Sequence, residues 1–278
     1  MNCAFCAQAR DSRANTLNLS RVIWPEYDLE SVVHKLAQAA GRGEIRRACV
    51  QVTVSTEASE QTLFLAHTLR SAAPTLKFDA AILPRNLAQV RQLLDAGVDH
   101  IGFGLDAASA RVFRRVKGRS WTNSLRLIER TAAEFPGHAA VHLIVGLGER
   151  ERELVERLQW AHDLGVTSGL FAFTPIRGTH LASQPAPSLA SYRRMQAARW
   201  VVVHDLARLE DMTFDDSGTL TGLGAALPAT GEPFQTSGCP DCNRPFYNEL
   251  PGGPWYNYPR PLTGDEQVQA IRDLEIEV

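Results

Sequence analysis

Between Leu29 and Thr174 helical and strand patterns alternate without a break, and that alternation is the feature that most limits the fold. Leu29, Val32, Val33, Leu36, Ala39 and Ala40 recur at helical spacing behind a capping Asp28, and Gly41 and Gly43 stop the helix. Ala48 to Val54 is a short β-branched run and reads as a strand. Further strands are expected over 76–83, 100–105, 139–145 and 170–174, and helices over 61–72, 87–96, 120–134 and 151–164. Gly97 and Gly165 stand where a helix hands over to a strand. Strictly alternating elements imply a parallel sheet with right-handed helical crossovers. Residues 182–188, with Pro185 and Pro187, read as a linker, 189–209 as a long helix, and the Gly- and Pro-rich remainder as irregular chain packing over the barrel mouth. The expected division is 1–181 and 182–278.

Composition narrows the class. At 278 residues, 44% hydrophobic and 22% charged, the chain can bury a full core. A formal net charge of −2 argues against nucleic-acid or membrane-surface binding. There is no apolar run of about 18 residues and no signal-peptide pattern. Five cysteines, an odd count, fit a reducing compartment, with the cytoplasm expected.

The chain opens with Cys3-Ala4-Phe5-Cys6-Ala7-Gln8-Ala9-Arg10. A C-x-x-C pair here admits three readings. A thioredoxin-type redox motif needs a preceding strand, and none is present. A zinc site needs a second pair, which Cys239 and Cys242 could supply. An iron–sulfur loop uses spaced thiolates around one cluster. The segment resembles the second half of the C-x-x-x-C-x-aromatic-C signature of the radical S-adenosylmethionine (SAM) superfamily, in the form used by biotin synthase and its relatives. The signature's first cysteine would fall four residues before Cys3, ahead of Met1, so truncation of the sequence is expected.

That resemblance implies an α/β fold, a partial (β/α)6 TIM-like barrel whose first strand precedes the present sequence. It also implies a [4Fe-4S] cluster on Cys3 and Cys6 and S-adenosylmethionine beside Phe5. Asp106, at the end of Gly102-Phe103-Gly104-Leu105-Asp106, matches a ribose ligand, although Gly104 replaces the family's asparagine and the residue could equally cap a turn. Arg119 matches an arginine that pairs with the SAM carboxylate. Gly146 and Gly148, in Ile144-Val145-Gly146-Leu147-Gly148-Glu149, match the family's adenine-flanking strand. Thr53, Ser55, Thr56 and Glu57 stand where many relatives place Gly-Gly-Glu, and Glu57 alone could be a helix-start carboxylate.

Cys49 could be a small apolar core residue, or it could match a ligand of biotin synthase's auxiliary cluster. Asp79 and His142 stand near the positions of that cluster's next cysteines, so the biotin synthase set is not intact. Gly238-Cys239-Pro240-Asp241-Cys242-Asn243-Arg244-Pro245, with Phe246 to Glu249 and Tyr256 to Pro261, resembles the radical SAM subunits of two-component lipoyl synthases. It implies an auxiliary iron–sulfur cluster on Cys239 and Cys242 with Cys49 as a third ligand. The implied chemistry is a 5′-deoxyadenosyl radical and sulfur insertion at unactivated C–H bonds of a protein-bound octanoyl chain. Implied partners are a lipoyl domain or other carrier protein, a second radical SAM subunit, and an electron donor such as ferredoxin or flavodoxin. The alternatives are a biotin-synthase-like enzyme with another substrate and a non-catalytic zinc or scaffold protein.

Overall fold

The computed structural model describes residues 2–19, 22–23, 25–242, 244, 249 and 253–276. Five parallel strands run in sequence order through one curled sheet: β3 (Arg47–Gln51), β4 (Lys77–Ala81), β5 (His100–Asp106), β6 (Ala139–Val145) and β7 (Thr167–Ala172). A two-residue antiparallel ladder, β1 (Asn18–Leu19) with β2 (Val22–Ile23), precedes them. Helices α1 (Leu29–Gly41), α2 (Ala58–Ala72), α3 (Leu87–Asp95), α4 (Ala110–Lys117), α5 (Trp121–Glu134) and α6 (Glu151–Asp163) cover the outer face, and α7 (Leu189–Val203) follows β7. The result is a partial TIM-like barrel.

Inside and outside are written in the strand alternation. In β5, Ile101, Phe103 and Leu105 turn outward into the helix layer and are buried, while Gly102 and Gly104 turn inward and leave the barrel hollow. In β6, Val141, Leu143 and Val145 join that outer core, while His142 and Ile144 face the interior. A Cβ on Gly102 would stand 3.2 Å from the Ala81 Cα and 3.4 Å from the His142 ring, so a larger residue there would close the interior.

Helix starts follow local chemistry. Asp28 accepts from the Ser31 N–H at 2.9 Å and Ser188 from the Ser191 N–H at 3.1 Å, each satisfying a first-turn donor. Helix α4 lies where the sequence reading placed no element, although Val112, Phe113 and Val116 are its buried face. Helix α7 stops at Val203 instead of reaching Leu209, because Asp205 turns left-handed at φ 55°, where its carboxylate accepts from His162 Nε2 at 2.8 Å. A second unexpected helix, α8 (Gly264–Arg272), closes the chain behind the Thr263–Glu266 capping box.

The chain after α7 also corrects an expectation. The Gly238–Cys242 turn enters the barrel at the amino ends of the strands, opposite the mouth. The reason is a set of charged groups there that needs partners. Arg47, the first residue of β3, donates to the Pro240 carbonyl, and the Arg46 guanidinium lies 3.4 Å from Asp241. Ser237 Oγ accepts from the Leu170 N–H at 2.8 Å and Arg244 donates to the Leu170 carbonyl at 3.2 Å, satisfying backbone groups along β7, the last strand of the sheet. Of the motif's continuation, Phe246, Tyr247 and Asn248 lie outside the described residues. Glu249 is buried and accepts from the Asn257 N–H at 2.9 Å.

Candidate active site

The barrel encloses a cavity of about 440 Å³ at the carboxyl ends of its strands, where β-strand carbonyl ends and connecting loops bring chemistry together in such folds. Cys3, Phe5 and Cys6 form its upper wall. Two consecutive tight turns place them, with Cys6 N–H donating to the Cys3 carbonyl and Ala9 N–H to that of Cys6, both at 3.1 Å. The loop is clamped from two sides: Ala4 N–H donates to Val116 at the end of α4, and Leu181 N–H donates to the Ala4 carbonyl. Further along, Arg13 N–H donates to the Gly178 carbonyl at 2.8 Å. A Cβ on Gly178 would fall 2.5 Å from the Ala14 nitrogen, so only glycine permits this approach.

Asp106, Lys117 and Arg119 line the same cavity. Asp106 ends β5 in the left-handed region, φ 64°, a conformation uncommon for a non-glycine residue, and it does not cap α4. Its carboxylate instead takes a short hydrogen bond from the Lys117 ammonium, which is only 4% exposed and stands 5.6 Å from the Phe5 ring centroid. Burial works to lower the Lys117 pKa, but the Asp106 carboxylate outweighs it and holds the ammonium above its ordinary value. Burial pushes the Cys3 thiol up, and Lys117 opposes that shift. Arg119 is depressed by burial and has no ion-pair partner among the described residues. Lys117 escaped the sequence reading; its signal is the i, i+4 spacing from Phe113, which puts it on the buried face of a short helix.

His142 lines the cavity, its ring centroid 5.1 Å from that of Phe171. The surrounding barrel depresses its pKa to about 4, so it is neutral at physiological pH. Val52, Ile82, Leu83, Ile144, Phe173 and Ile176 complete a largely apolar interior. Gly146 and Gly148 do not reach it: both adopt φ 101° and border a separate recess of about 310 Å³ with Gln184 and Pro187. Glu57 precedes α2 without a side-chain capping bond and pairs with Thr56.

A second group of donors lies one register row below the cavity. Gln51, Ala81 and Gly102 line the cavity floor, and two residues back on the same strands Cys49 pairs with Asp79 in register and Asp79 with His100. Cys239 hydrogen-bonds Asp79 from the incoming turn, and Cys242 follows with its N–H on the Cys239 carbonyl at 3.0 Å. Cys49 is open to solvent within the barrel and takes no part in the apolar core; enough protein surrounds it to push its thiol up to about 11, by burial first and then by Asp79 and Cys242. Cys239 is raised by burial and by the Asp79 carboxylate. Thus Cys3, Cys6, Phe5, Asp106 and Arg119 meet at one end of the barrel axis, and Cys49, Cys239 and Cys242 gather toward the other.

The donor sets fit what they would hold. Cys3 and Cys6 offer two thiol sulfurs beside a buried cation, matching two positions of a three-cysteine cluster loop. The cavity presents an aromatic, a carboxylate and a guanidinium on an apolar ground, which suits a nucleoside with an amino-acid arm. Among the described residues no helix is long and apolar enough to cross a membrane.

The comparisons agree with this geometry. The chain is 26% identical over 247 residues to a biotin synthase of Desulforudis audaxviator, covering 85% of the chain and 73% of that protein. It is 28% identical over 172 residues to a biotin synthase of Nocardioides sp., covering 60% of the chain and 44% of that protein. Among solved structures, methylornithine synthase (PylB) superposes with a TM-score of 0.57 at 12% identity, over 74% of this chain and 59% of the other. The hydrogenase maturase HydG from Carboxydothermus hydrogenoformans gives 0.53 at 16% identity, over 74% and 49%. Residues 1–161 match the family model of the radical SAM superfamily, and with more than half the chain matched, this protein belongs to that superfamily, whose members work with a [4Fe-4S] cluster and S-adenosylmethionine.

Proposed function

We propose that this chain is a sulfur-inserting radical SAM enzyme, lipoyl-synthase-like, that acts on an octanoyl chain carried by a protein lysine. The observation that carries the reading is the pairing of two thiol groups along one barrel axis, Cys3 and Cys6 above the cavity and Cys49, Cys239 and Cys242 below it. When bound, a [4Fe-4S] cluster and SAM supply the 5′-deoxyadenosyl radical that breaks an unactivated C–H bond, and an auxiliary iron–sulfur cluster supplies sulfur.

The chain's own residues hold and shield that chemistry. Asp106 accepts from ribose hydroxyls, Arg119 pairs with the SAM carboxylate, and Lys117 keeps positive charge beside the Cys3 thiolate. Val52, Ile82, Leu83, Phe171 and Phe173 exclude water from a saturated chain lying between the two donor groups. A ferredoxin or flavodoxin as electron donor, a carrier protein as substrate and a second radical SAM subunit are parts of this proposal.

A second reading, a biotin-synthase-like enzyme with another substrate, is favoured by the 26% identity that extends over 85% of the chain. One experiment separates them. Reconstituted protein with SAM and a reductant is offered an octanoylated lipoyl domain or dethiobiotin, and products are read by mass spectrometry. Sulfur gained only by the lipoyl domain supports the first reading. Sulfur gained by neither, with 5′-deoxyadenosine still formed, removes sulfur insertion on both substrates.

A further inference from the structure

We infer that the metal centre at the amino end of the barrel has a mixed donor set, in which the Asp79 carboxylate and the His100 imidazole join Cys239. This deepens the function proposed above and rests on its placing of an auxiliary centre there.

A carboxylate oxygen of Asp79, a ring nitrogen of His100 and the sulfur of Cys239 all lie within 4.8 Å of one another. Two ligands on one tetrahedral metal, with bonds of about 2.0–2.3 Å, stand roughly 3.3–3.8 Å apart. Small side-chain movements therefore bring all three onto a single ion. The strands supply two of these donors by register, since Asp79 and His100 are direct neighbours on β4 and β5, and Cys49 is the neighbour of Asp79 on β3. The turn supplies the third. Asp79 is 3% and His100 8% exposed, so neither is a solvated surface group.

The surroundings are built to hold such a set still. Arg47 bridges the Asp79 and Asp99 carboxylates and also grips the Pro240 carbonyl, one residue beyond Cys239. Asp99 and the Arg47 guanidinium meet His100 Nδ1 at 3.0 and 3.2 Å, so the ligating nitrogen is Nε2, with Asp99 a carboxylate partner of the kind that orients ligating imidazoles. The His100 N–H donates to Asp79 at 3.2 Å. Sulfur, nitrogen and oxygen together suit iron or zinc and disfavour magnesium or calcium. On an iron–sulfur cluster, replacing thiolate by imidazole at one iron makes that iron distinct from its neighbours and raises the potential.

The test uses a Cys3→Ala/Cys6→Ala chain, so that only this centre can bind, with histidine labelled by 15N and reconstitution with iron and sulfide. Pulsed electron paramagnetic resonance of the reduced centre is expected to show strong 15N coupling, lost in His100→Gln and kept in His138→Gln. Iron content is expected to fall in Asp79→Asn. A centre that forms with no nitrogen coupling, and that retains its iron in both variants, overturns the mixed donor set while leaving a thiolate-held auxiliary cluster in place. Zinc bound in place of iron and lost in the same variants keeps the donor set and overturns the sulfur-donor reading. No metal of either kind, with Cys239→Ala/Cys242→Ala indistinguishable from its parent, overturns both. The presence or absence of coupling is read in the Cys3→Ala/Cys6→Ala chain, whose barrel strands are unaltered, and circular dichroism of the His100→Gln and Asp79→Asn variants checks that they fold.

Discussion

The Lys117 ammonium rests on the Asp106 carboxylate inside the barrel, the lysine side chain 3% and the aspartate side chain 12% exposed. Removing one partner strands a buried charge, which costs about 3–5 kcal/mol. Lys117→Met is therefore expected to lower unfolding stability by that order in urea titration. The double variant Lys117→Met/Asp106→Asn is expected to regain most of it. Equal losses in the single and double variants would show that the pair carries no coupling.

The proposed SAM contacts are tested at two positions. Asp106→Ala and Arg119→Ala are each expected to weaken SAM binding at least tenfold in calorimetry on reconstituted protein. Arg119→Lys is expected to restore only part of the affinity, because an ammonium cannot reproduce the two parallel hydrogen bonds of a guanidinium on a carboxylate. Unchanged affinity in both alanine variants would remove these residues from the cofactor site.

Much of this could be read before the structure, and the exceptions share a cause. The strand expected over 100–105 and the helices expected over 87–96 and 120–134 follow from their spacing, and the structure has them at His100–Asp106, Leu87–Asp95 and Trp121–Glu134, with Asn86 and Ser120 as the helix caps. Strand ends were less legible: β3 stops at Gln51 and β7 begins at Thr167, since polar and glycine residues at those ends carry no periodic signal. Helix α4 has a charge-dense sequence, Arg111, Arg114, Arg115 and Lys117, which masks its buried stripe. Long-range placement was the other gap. Nothing local to Gly238–Cys242 says which end of the barrel it enters; Arg47, Asp79 and His100 decide that, from strands some 140–195 residues earlier in the chain.

His142 gives a pH dependence with a definite sign. Burial, together with Arg244 and Lys117, depresses it to about 4 against the opposing pull of Asp106 and Asp79. The unfolded chain, near its ordinary value of about 6.5, then binds the extra proton first. Stability from this group is complete above about pH 6.5 and is lost as pH falls toward 4, with a slope of up to about 1.4 kcal/mol per pH unit. Denaturation midpoints of wild type and His142→Asn are expected to diverge over that window. Parallel curves would mean that the ring titrates normally in the folded state.

Gly178 tests the clamp on the N-terminal loop. At φ 93°, with a Cβ 2.5 Å from the Ala14 nitrogen, Gly178→Ala must push residues 13 and 14 away. Iron retained through a desalting column after reconstitution is expected to fall, with the α/β circular dichroism spectrum preserved. Full retention would show that Cys3 and Cys6 hold their place without that contact.

The pairing of two donor groups along one barrel is tested most directly by Mössbauer spectroscopy of protein reconstituted with 57Fe, recorded with and without SAM, beside the Cys239→Ala/Cys242→Ala variant. Two iron populations are expected, one perturbed by SAM and the other absent from the variant, while 5′-deoxyadenosine formation persists in the variant. A single population, wholly perturbed by SAM and unchanged by loss of Cys239 and Cys242, would contradict the auxiliary centre and with it sulfur insertion.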